Sequence, residues 1–174
     1  MAAERLLRYQ VATSLDGYIA GPNGEYDWIS EDPTLDLASF ARQFDTLLMG
    51  RRTYELALSQ GPMLKSMDMS VVVVSTTLDP SQHPDATILS ANVANAVAQL
   101  KRQPGKDIWL FGGGALFRTM LDERLVDRVE LAVSPILLGS GVPLLPPGER
   151  CPLRLLESTT LPSGMLNLVY DVIS

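Results

Sequence analysis

Apolar residues fall in two rhythms along this chain. Thr46-Leu47-Leu48-Met49, Val71-Val72-Val73-Val74 and Ile108–Phe111 are short, nearly unbroken apolar runs. Strands covered by helices on both faces read this way, as parallel strands do. Leu6–Thr13 opens with apolar and β-prone residues and runs into the turn signal Asp16-Gly17, which predicts a central first strand. Between the runs, apolar positions recur at helical spacing. Pro33–Gln43 predicts a helix with Leu37, Phe40, Ala41 and Phe44 in register, Asp32 or Thr34 as its cap and Pro33 near its first turn. Arg51–Leu58 and Ala115–Leu121 predict two more. Asn92–Arg102 predicts another, with Val93, Ala96, Val97 and Leu100 on one face, a cap at Ser90 or Asn92 and a stop near Pro104-Gly105. Past Val126 the period falls to two: Arg128–Ser134, Leu153–Thr160 and Met165–Ile173 predict antiparallel strands.

Strand and helix alternate over the first two-thirds, and strands alone fill the rest. That order predicts an α/β fold in one domain over residues 1–174: a mixed, mostly parallel central sheet flanked by helices, with antiparallel C-terminal strands. Ligands in such sheets bind beyond the carboxyl ends of the strands. The stretch from Ala20 to Pro33 holds Gly21-Pro22-Asn23-Gly24 and predicts a long surface loop, a length associated with function.

Composition narrows the classes. A chain of 174 residues with 46% hydrophobic and 20% charged residues is long enough to fold on its own core. A net charge of −6 argues against a nucleic-acid or anionic-membrane partner, either of which needs a basic face. Cys151 is the single cysteine, so no internal disulfide forms. The N-terminal residues lack a signal-peptide core and no apolar run reaches membrane-spanning length, so a cytoplasmic setting is expected. His83 has no partners at metal-ligand spacing, Cys151 has no neighbouring base, and no Gly-x-Ser-x-Gly surrounds Ser75; no metal is expected.

Two strand-to-helix junctions carry candidate chemistry. In Met49-Gly50-Arg51-Arg52-Thr53-Tyr54 a glycine ends a buried strand and a helix begins at once. The helix N-terminus offers free N–H donors and partial positive charge, while two guanidinium groups and a hydroxyl suit phosphate oxygens. The plain alternative is a surface helix that happens to start with arginines. In Phe111-Gly112-Gly113-Gly114-Ala115 three glycines lead a second strand into a second helix. A tight turn usually needs one glycine, and extra ones weaken the backbone by roughly 0.5–1 kcal/mol each. The alternating-glycine dinucleotide fingerprint is absent. Two anion-ready junctions in so short a chain favour a dinucleotide over a lone phosphate.

In this order the motifs resemble dihydrofolate reductase and the reductase domain of riboflavin biosynthesis. The matching segments are Ser14-Leu15-Asp16-Gly17-Tyr18-Ile19-Ala20, Asp27-Trp28, Asp36-Leu37-Ala38-Ser39-Phe40, the two junctions, Val74-Ser75-Thr76 and Ser134-Pro135-Ile136-Leu137-Leu138-Gly139-Ser140-Gly141. The last looks more like the riboflavin branch. The resemblance implies a dihydrofolate-reductase-like fold and an NADPH cofactor. Gly50, Arg51, Arg52 and Thr53, with Ser75 and Thr76, would grip the adenosine 2′-phosphate and its neighbour. Phe111, Gly112, Gly113, Gly114, Ala115 and Leu116 would form the pyrophosphate loop, with a cis peptide at Gly112–Gly113. Ala12 and Ile19 would meet the nicotinamide carboxamide through their backbones, and Tyr18–Trp28 would close over the ring. Trp28 and Phe40 would face the substrate.

Asp36 matches the acid that assists protonation in dihydrofolate reductase, yet a carboxylate in a first helical turn is favoured by the helix dipole alone. Its spacing from Trp28 and Gly50 also departs from the family. Asp16, in a turn signal, reads as an Asx-turn residue. The expected activity is hydride transfer from NADPH to a C=N or C=C bond of a small pterin- or pyrimidine-like heterocycle, in the riboflavin-reductase-like branch. A true dihydrofolate reductase and a non-catalytic NADPH- or ligand-binding module are the alternatives. The riboflavin intermediate carries a ribose phosphate, which calls for further basic residues near the substrate. Pro135, Leu137, Leu138, Val142, Leu144 and Leu145 are apolar enough for a contact between copies, and a homodimer is expected.

Overall fold

The computed structural model describes residues 4–30 and 32–173. In chain order its elements are β1 (Leu7–Ser14), β2 (Tyr18–Ala20), α1 (Leu37–Ala41), β3 (Phe44–Gly50), α2 (Arg51–Ser59), α3 (Met63–Ser66), β4 (Ser70–Val74), β5 (Ala86–Leu89), α4 (Val93–Arg102), β6 (Asp107–Gly112), α5 (Gly114–Asp122), β7 (Arg128–Ser134), β8 (Val142–Pro143), β9 (Leu153–Thr160) and β10 (Leu166–Val172). Eight strands form one sheet in the order β5-β4-β3-β6-β1-β7-β10-β9. Every pairing from β5 to β7 is parallel, and β10 and β9 add on antiparallel. The first strand is therefore central and β10 and β9 form one edge, as their patterns predict; Arg128–Ser134, expected to be antiparallel, instead pairs parallel with β1 and antiparallel only with β10.

Alternation along β1 assigns the two faces. Leu7, Tyr9 and Val11 pack with Val97 of α4 and Phe117 and Met120 of α5. Arg8, Gln10 and Ala12 point the other way, where Phe44, Tyr54, Ala57, Leu64 and Trp109 form a second core under α1, α2 and α3. Helices thus cover both faces of the parallel strands, which explains their continuous apolar runs. Burial without a hydrogen-bond partner pushes the Tyr9 phenol pKa well up; its ring stacks on Phe117 at 3.7 Å. Buried Arg5 ties the start of the chain to Asp45, Thr46 and the Lys106 carbonyl.

The first helix differs most from expectation. Only Leu37–Ala41 is helical, and the cap is Asp36, whose Oδ1 accepts the Ser39 N–H at 2.8 Å. Asp32 does other work: its carboxylate accepts the Thr34 N–H at 2.9 Å and, across the molecule, the Ser163 N–H at 2.9 Å. Phe44, in helical register by sequence, instead begins β3 and is 3% exposed, because pairing with β6 claims it. The predicted helix over-reached because a five-residue helix with no buried residue has no packing to extend it. Four short elements, β2, α3, β5 and β8, were not predicted. At two to four residues each they are too short to show a period. No helix among the described residues is long and apolar enough to cross a membrane.

Candidate active site

All the parallel strands end on one edge of the sheet, so both junctions open there. Gly50 pairs with Val74 and Met49 pairs with Gly112, which sets the exits of β4, β3 and β6 side by side. A Cβ built on Gly112 or Gly113 would lie 3.5 Å from the Thr53 Oγ1, so the first turn of α2 and the glycine loop lie side by side. A Cβ on Gly50 would meet nothing within 4 Å. The two exits carry the N-termini of α2 and α5, each nine residues long, whose leading N–H groups have no intrahelical acceptor. Gly112 has φ +141°, a conformation that favours glycine, and the Gly112–Gly113 peptide is cis. Gly114 is packed closely: its Cβ would come within 3.2 Å of the Pro143 carbonyl, so this glycine lets α5 approach the segment around β8.

The side chains at the first junction are placed differently from one another. Arg51 makes an exposed i,i+4 pair with Glu55 at 3.0 Å, an interaction worth only a few tenths of a kcal/mol. Arg52 is exposed and has no ion-pair partner among the described residues. Both guanidinium groups can therefore turn to an anion at small cost. Ser75 is buried, and its Oγ accepts the N–H groups of Thr77 and Leu78, both at 3.1 Å. That hydroxyl shapes the turn after β4 and leaves exposed Thr76 as the group facing outward. Phe111 is half-buried, edge-on to Trp109 at 5.1 Å; Ala115 is exposed and Leu116 joins the α5 core.

Ala12 is half-buried near the end of β1 and Ile19 sits in β2 beside β8. The loop after β2 is held by Glu25: its carboxylate accepts from Asn23 at 2.7 and 2.8 Å, and its carbonyl accepts the Trp28 indole N–H at 3.0 Å. The Asn23 bonds hold the Glu25 carboxyl below its usual pKa. Tyr26 accepts from Gln60 at the end of α2, so the loop is anchored to that helix. Asp16 bridges further: it accepts from the Ser14 Oγ and, from a distant loop, the N–H groups of Leu138 and Gly139 at 3.0 and 2.7 Å. The Ser14 hydroxyl, then the Leu138 N–H, pull its pKa down to about 2.

A cavity of about 420 Å³ lies on the Gln10 face of the sheet. Asp36 and Phe40 form one wall, and Gln10, Glu130, Ala132, Glu157, Thr159 and Asn167 contribute from β1, β7, β9 and β10. Ala132 is paired with Ala12, so this groove adjoins the position matched to the nicotinamide carboxamide. Asp36 and Phe40 thus come together in one cavity, while Trp28 does not line it. Gln10, Glu130, Glu157 and Asn167 were not predicted as site residues. The signal was present for Gln10, a polar residue inside the central first strand; Glu130 sits in a strand that reads as alternating, where a polar residue is ordinary. Buried Glu130 accepts from Arg8 through both oxygens, at 2.5 and 3.0 Å, and Arg8 also reaches Gln43 and Asp107 at 2.8 and 3.2 Å. No group of three or more metal-ligating side chains occurs among the described residues.

Comparison with known proteins identifies the family and the fold. The family model of the RibD C-terminal domain matches residues 5–167. The uncharacterized protein YyaP of Bacillus subtilis is 34% identical over 179 residues, covering 96% of this chain and 95% of its own. Among solved structures, a candidate riboflavin biosynthesis protein of Shewanella sp. PV-4 superposes with TM-score 0.84 at 26% identity, covering 97% of this chain and 99% of that one. A Thermotoga maritima diaminohydroxyphosphoribosylaminopyrimidine deaminase/5-amino-6-(5-phosphoribosylamino)uracil reductase shares the fold, with TM-score 0.75 at 15% identity over 98% of this chain and 57% of that one.

Proposed function

The chain belongs to the RibD C-terminal domain family, and from that premise we propose that it is an NADPH-dependent reductase of a small heterocycle, of the riboflavin-reductase-like kind. One observation carries the reading: two nine-residue helices begin at adjacent strand exits, and the Gly112–Gly113 backbone lies beside Thr53 in the first turn of one of them. A dinucleotide laid across the two exits would meet the leading N–H groups of both helices. When bound, the nicotinamide supplies a hydride, and the second hydrogen reaches the substrate as a proton.

The protein's own groups do the rest. Arg51, Arg52, Thr53 and Thr76 hold the phosphate of the adenosine end, where charge-assisted bonds are the strongest available. The backbone of Gly112–Leu116 donates to the pyrophosphate at a helix N-terminus. The Ala12 and Ile19 backbones orient the carboxamide beside the groove. The loop held by Glu25 excludes water from the reacting face, which limits side reactions. Asp36 and Phe40 fix the substrate ring, Asp36 by accepting an N–H and Phe40 by apolar contact. Titration with NADPH tests this directly: micromolar binding with a rise in melting temperature is expected, and no response at millimolar cofactor sinks it.

Asp36 is exposed and already caps α1, which favours a second reading, a binding module without turnover. Asp36→Asn separates the two, because the amide still caps: an enzyme loses rate at unchanged NADPH affinity, and a binding module shows no turnover to lose. The proposal includes a cytoplasmic homodimer. Of the residues expected at its contact, Leu144 and Leu145 pack against the first core, while Leu137 is 69% and Val142 41% exposed; these two would form the contact surface together with the edge strand β9, whose Leu153, Leu155 and Leu156 are each 40–50% exposed. Exposed edges of this kind pair readily. A sedimentation mass of one chain would rule the dimer out.

A further inference from the structure

The groove beside the nicotinamide position has a charge character opposite to that of the cofactor cradle, and this bears on its substrate. Three carboxylates contribute to its lining: Asp36 from the wall and Glu157 from the edge strand, neither ion-paired among the described residues, and Glu130 from the floor, whose charge is shared with Arg8. Among the described residues, no Lys, Arg or His lines it. The guanidinium nearest its floor, Arg8, is 6% exposed, held by Glu130, Asp107 and Gln43, and lies 4.6 Å over the Phe44 ring. The next cation along β9, Arg154, pairs with Asp171 at 2.9 Å. Neither lines the groove. What the groove offers instead is hydrogen-bonding: the carboxamides of Gln10 and Asn167, the Thr159 hydroxyl and the carboxylates, beside the Phe40 ring.

Bringing a phosphate or carboxylate into this groove would place like charges together in a partly desolvated space, with no counter-ion to offset the lost hydration. A planar ring bearing amino or ring N–H groups meets the opposite situation, because carboxylates accept such donors strongly and carboxamides supply both donor and acceptor. We infer that the substrate is an amino-substituted planar heterocycle, neutral or cationic, that carries no phosphate or other anionic group. The inference rests on the reductase reading for the location of the site. It departs from the phosphoribosyl substrate in the name of the Thermotoga protein.

The test uses the full chain saturated with NADP⁺, whose binding is measured first in the same calorimeter. Two probes are then titrated: 2,4-diaminopyrimidine and uridine 5′-monophosphate. The diaminopyrimidine is expected to bind at least tenfold more tightly than the nucleotide. Glu157→Lys, on an exposed edge strand, should narrow or reverse that ratio by about tenfold while leaving NADP⁺ binding unchanged. Equal or tighter binding of the nucleotide by the parent chain overturns the inference, and so does an absence of binding by either probe, or an unmoved ratio in the variant. Failure of NADP⁺ itself to bind overturns the reductase reading and is seen as a separate event.

Discussion

The two halves of the proposed cleft, the strand exits and the groove on the Gln10 face of the sheet, are built on contrary principles. The cofactor half is largely backbone: helix N-termini and a glycine run leave N–H groups bare, and two exposed arginines add charge at the rim. The substrate half is side chain: a carboxylate wall and floor, carboxamides and one aromatic ring. Backbone donors suit a ligand part that never changes, the phosphate groups. Side chains suit a part that varies, since each can be exchanged without altering the fold. The electrostatic contrast also orients ligands, since an anionic cofactor is drawn to one half and repelled from the other. A net charge of −6 conceals this division entirely.

The largest test of the contrast falls on the substrate floor. Glu130→Gln should remove the nearer of the two carboxylates that hold buried Arg8 and leave Asp107 at 3.2 Å, so the cost is about 3 kcal/mol, the low end for a broken buried pair. For a chain of this size that is a fall of roughly 6–12 °C in melting temperature. A fall under 2 °C would mean that the pair does not anchor the groove. On the cofactor side, Gly112→Val forces an L residue into φ +141° and sets a side chain against Thr53. Strain of that kind costs on the order of 1–3 kcal/mol. NADPH affinity is expected to fall about 100-fold, equivalent to about 2.7 kcal/mol, and fluorescence titration measures it. Unchanged affinity would move the pyrophosphate elsewhere.

Smaller effects sharpen the comparison. Replacing Arg51 and Arg52 together by alanine removes charged hydrogen bonds worth about 1.5–3 kcal/mol. NADPH should weaken by at least tenfold and NADH by less than threefold; equal losses would detach the arginines from the 2′-phosphate. The smallest expected effect concerns acid. Asp16 and Asp32 both have folded-state pKa values below the ordinary carboxylate value, Asp16 through Ser14 and Leu138, Asp32 through Ser163 and Thr34. A depressed folded-state pKa contributes stability that is complete above the unfolded value near 4 and is lost as pH falls through the folded value. The melting temperature should therefore hold steady above about pH 5 and drop between pH 4 and 2. Asp16→Asn should flatten part of that drop, and an unaltered acid limb would show that the Asp16 bonds to 138–139 carry no stability.

The parallel core was legible because its strands are covered on both faces, and an unbroken apolar run such as Val71–Val74 would be costly to leave facing water on either side. The junction glycines were legible for a similar reason, as three in a row are too costly for an ordinary turn. Helix α1 was read too long, since helical spacing persists through Phe44 while the chain has already turned into β3. Asp32 and Asp36 look alike in sequence as caps one turn apart. Only the position of Ser163, far along the chain, shows that Asp32 ties the β9–β10 turn to the helix entry.

By itself the sequence determined the alternation of elements, the central place of β1 and the two anion-ready exits, because all are local consequences of side-chain period and backbone freedom. The tertiary structure alone decided which exits became neighbours, how Arg8 was consumed by Glu130 and Asp107, and that acids but no cation among the described residues line the groove beside them. Those facts depend on strand order, which brings together residues more than a hundred positions apart, and no local pattern encodes such a pairing.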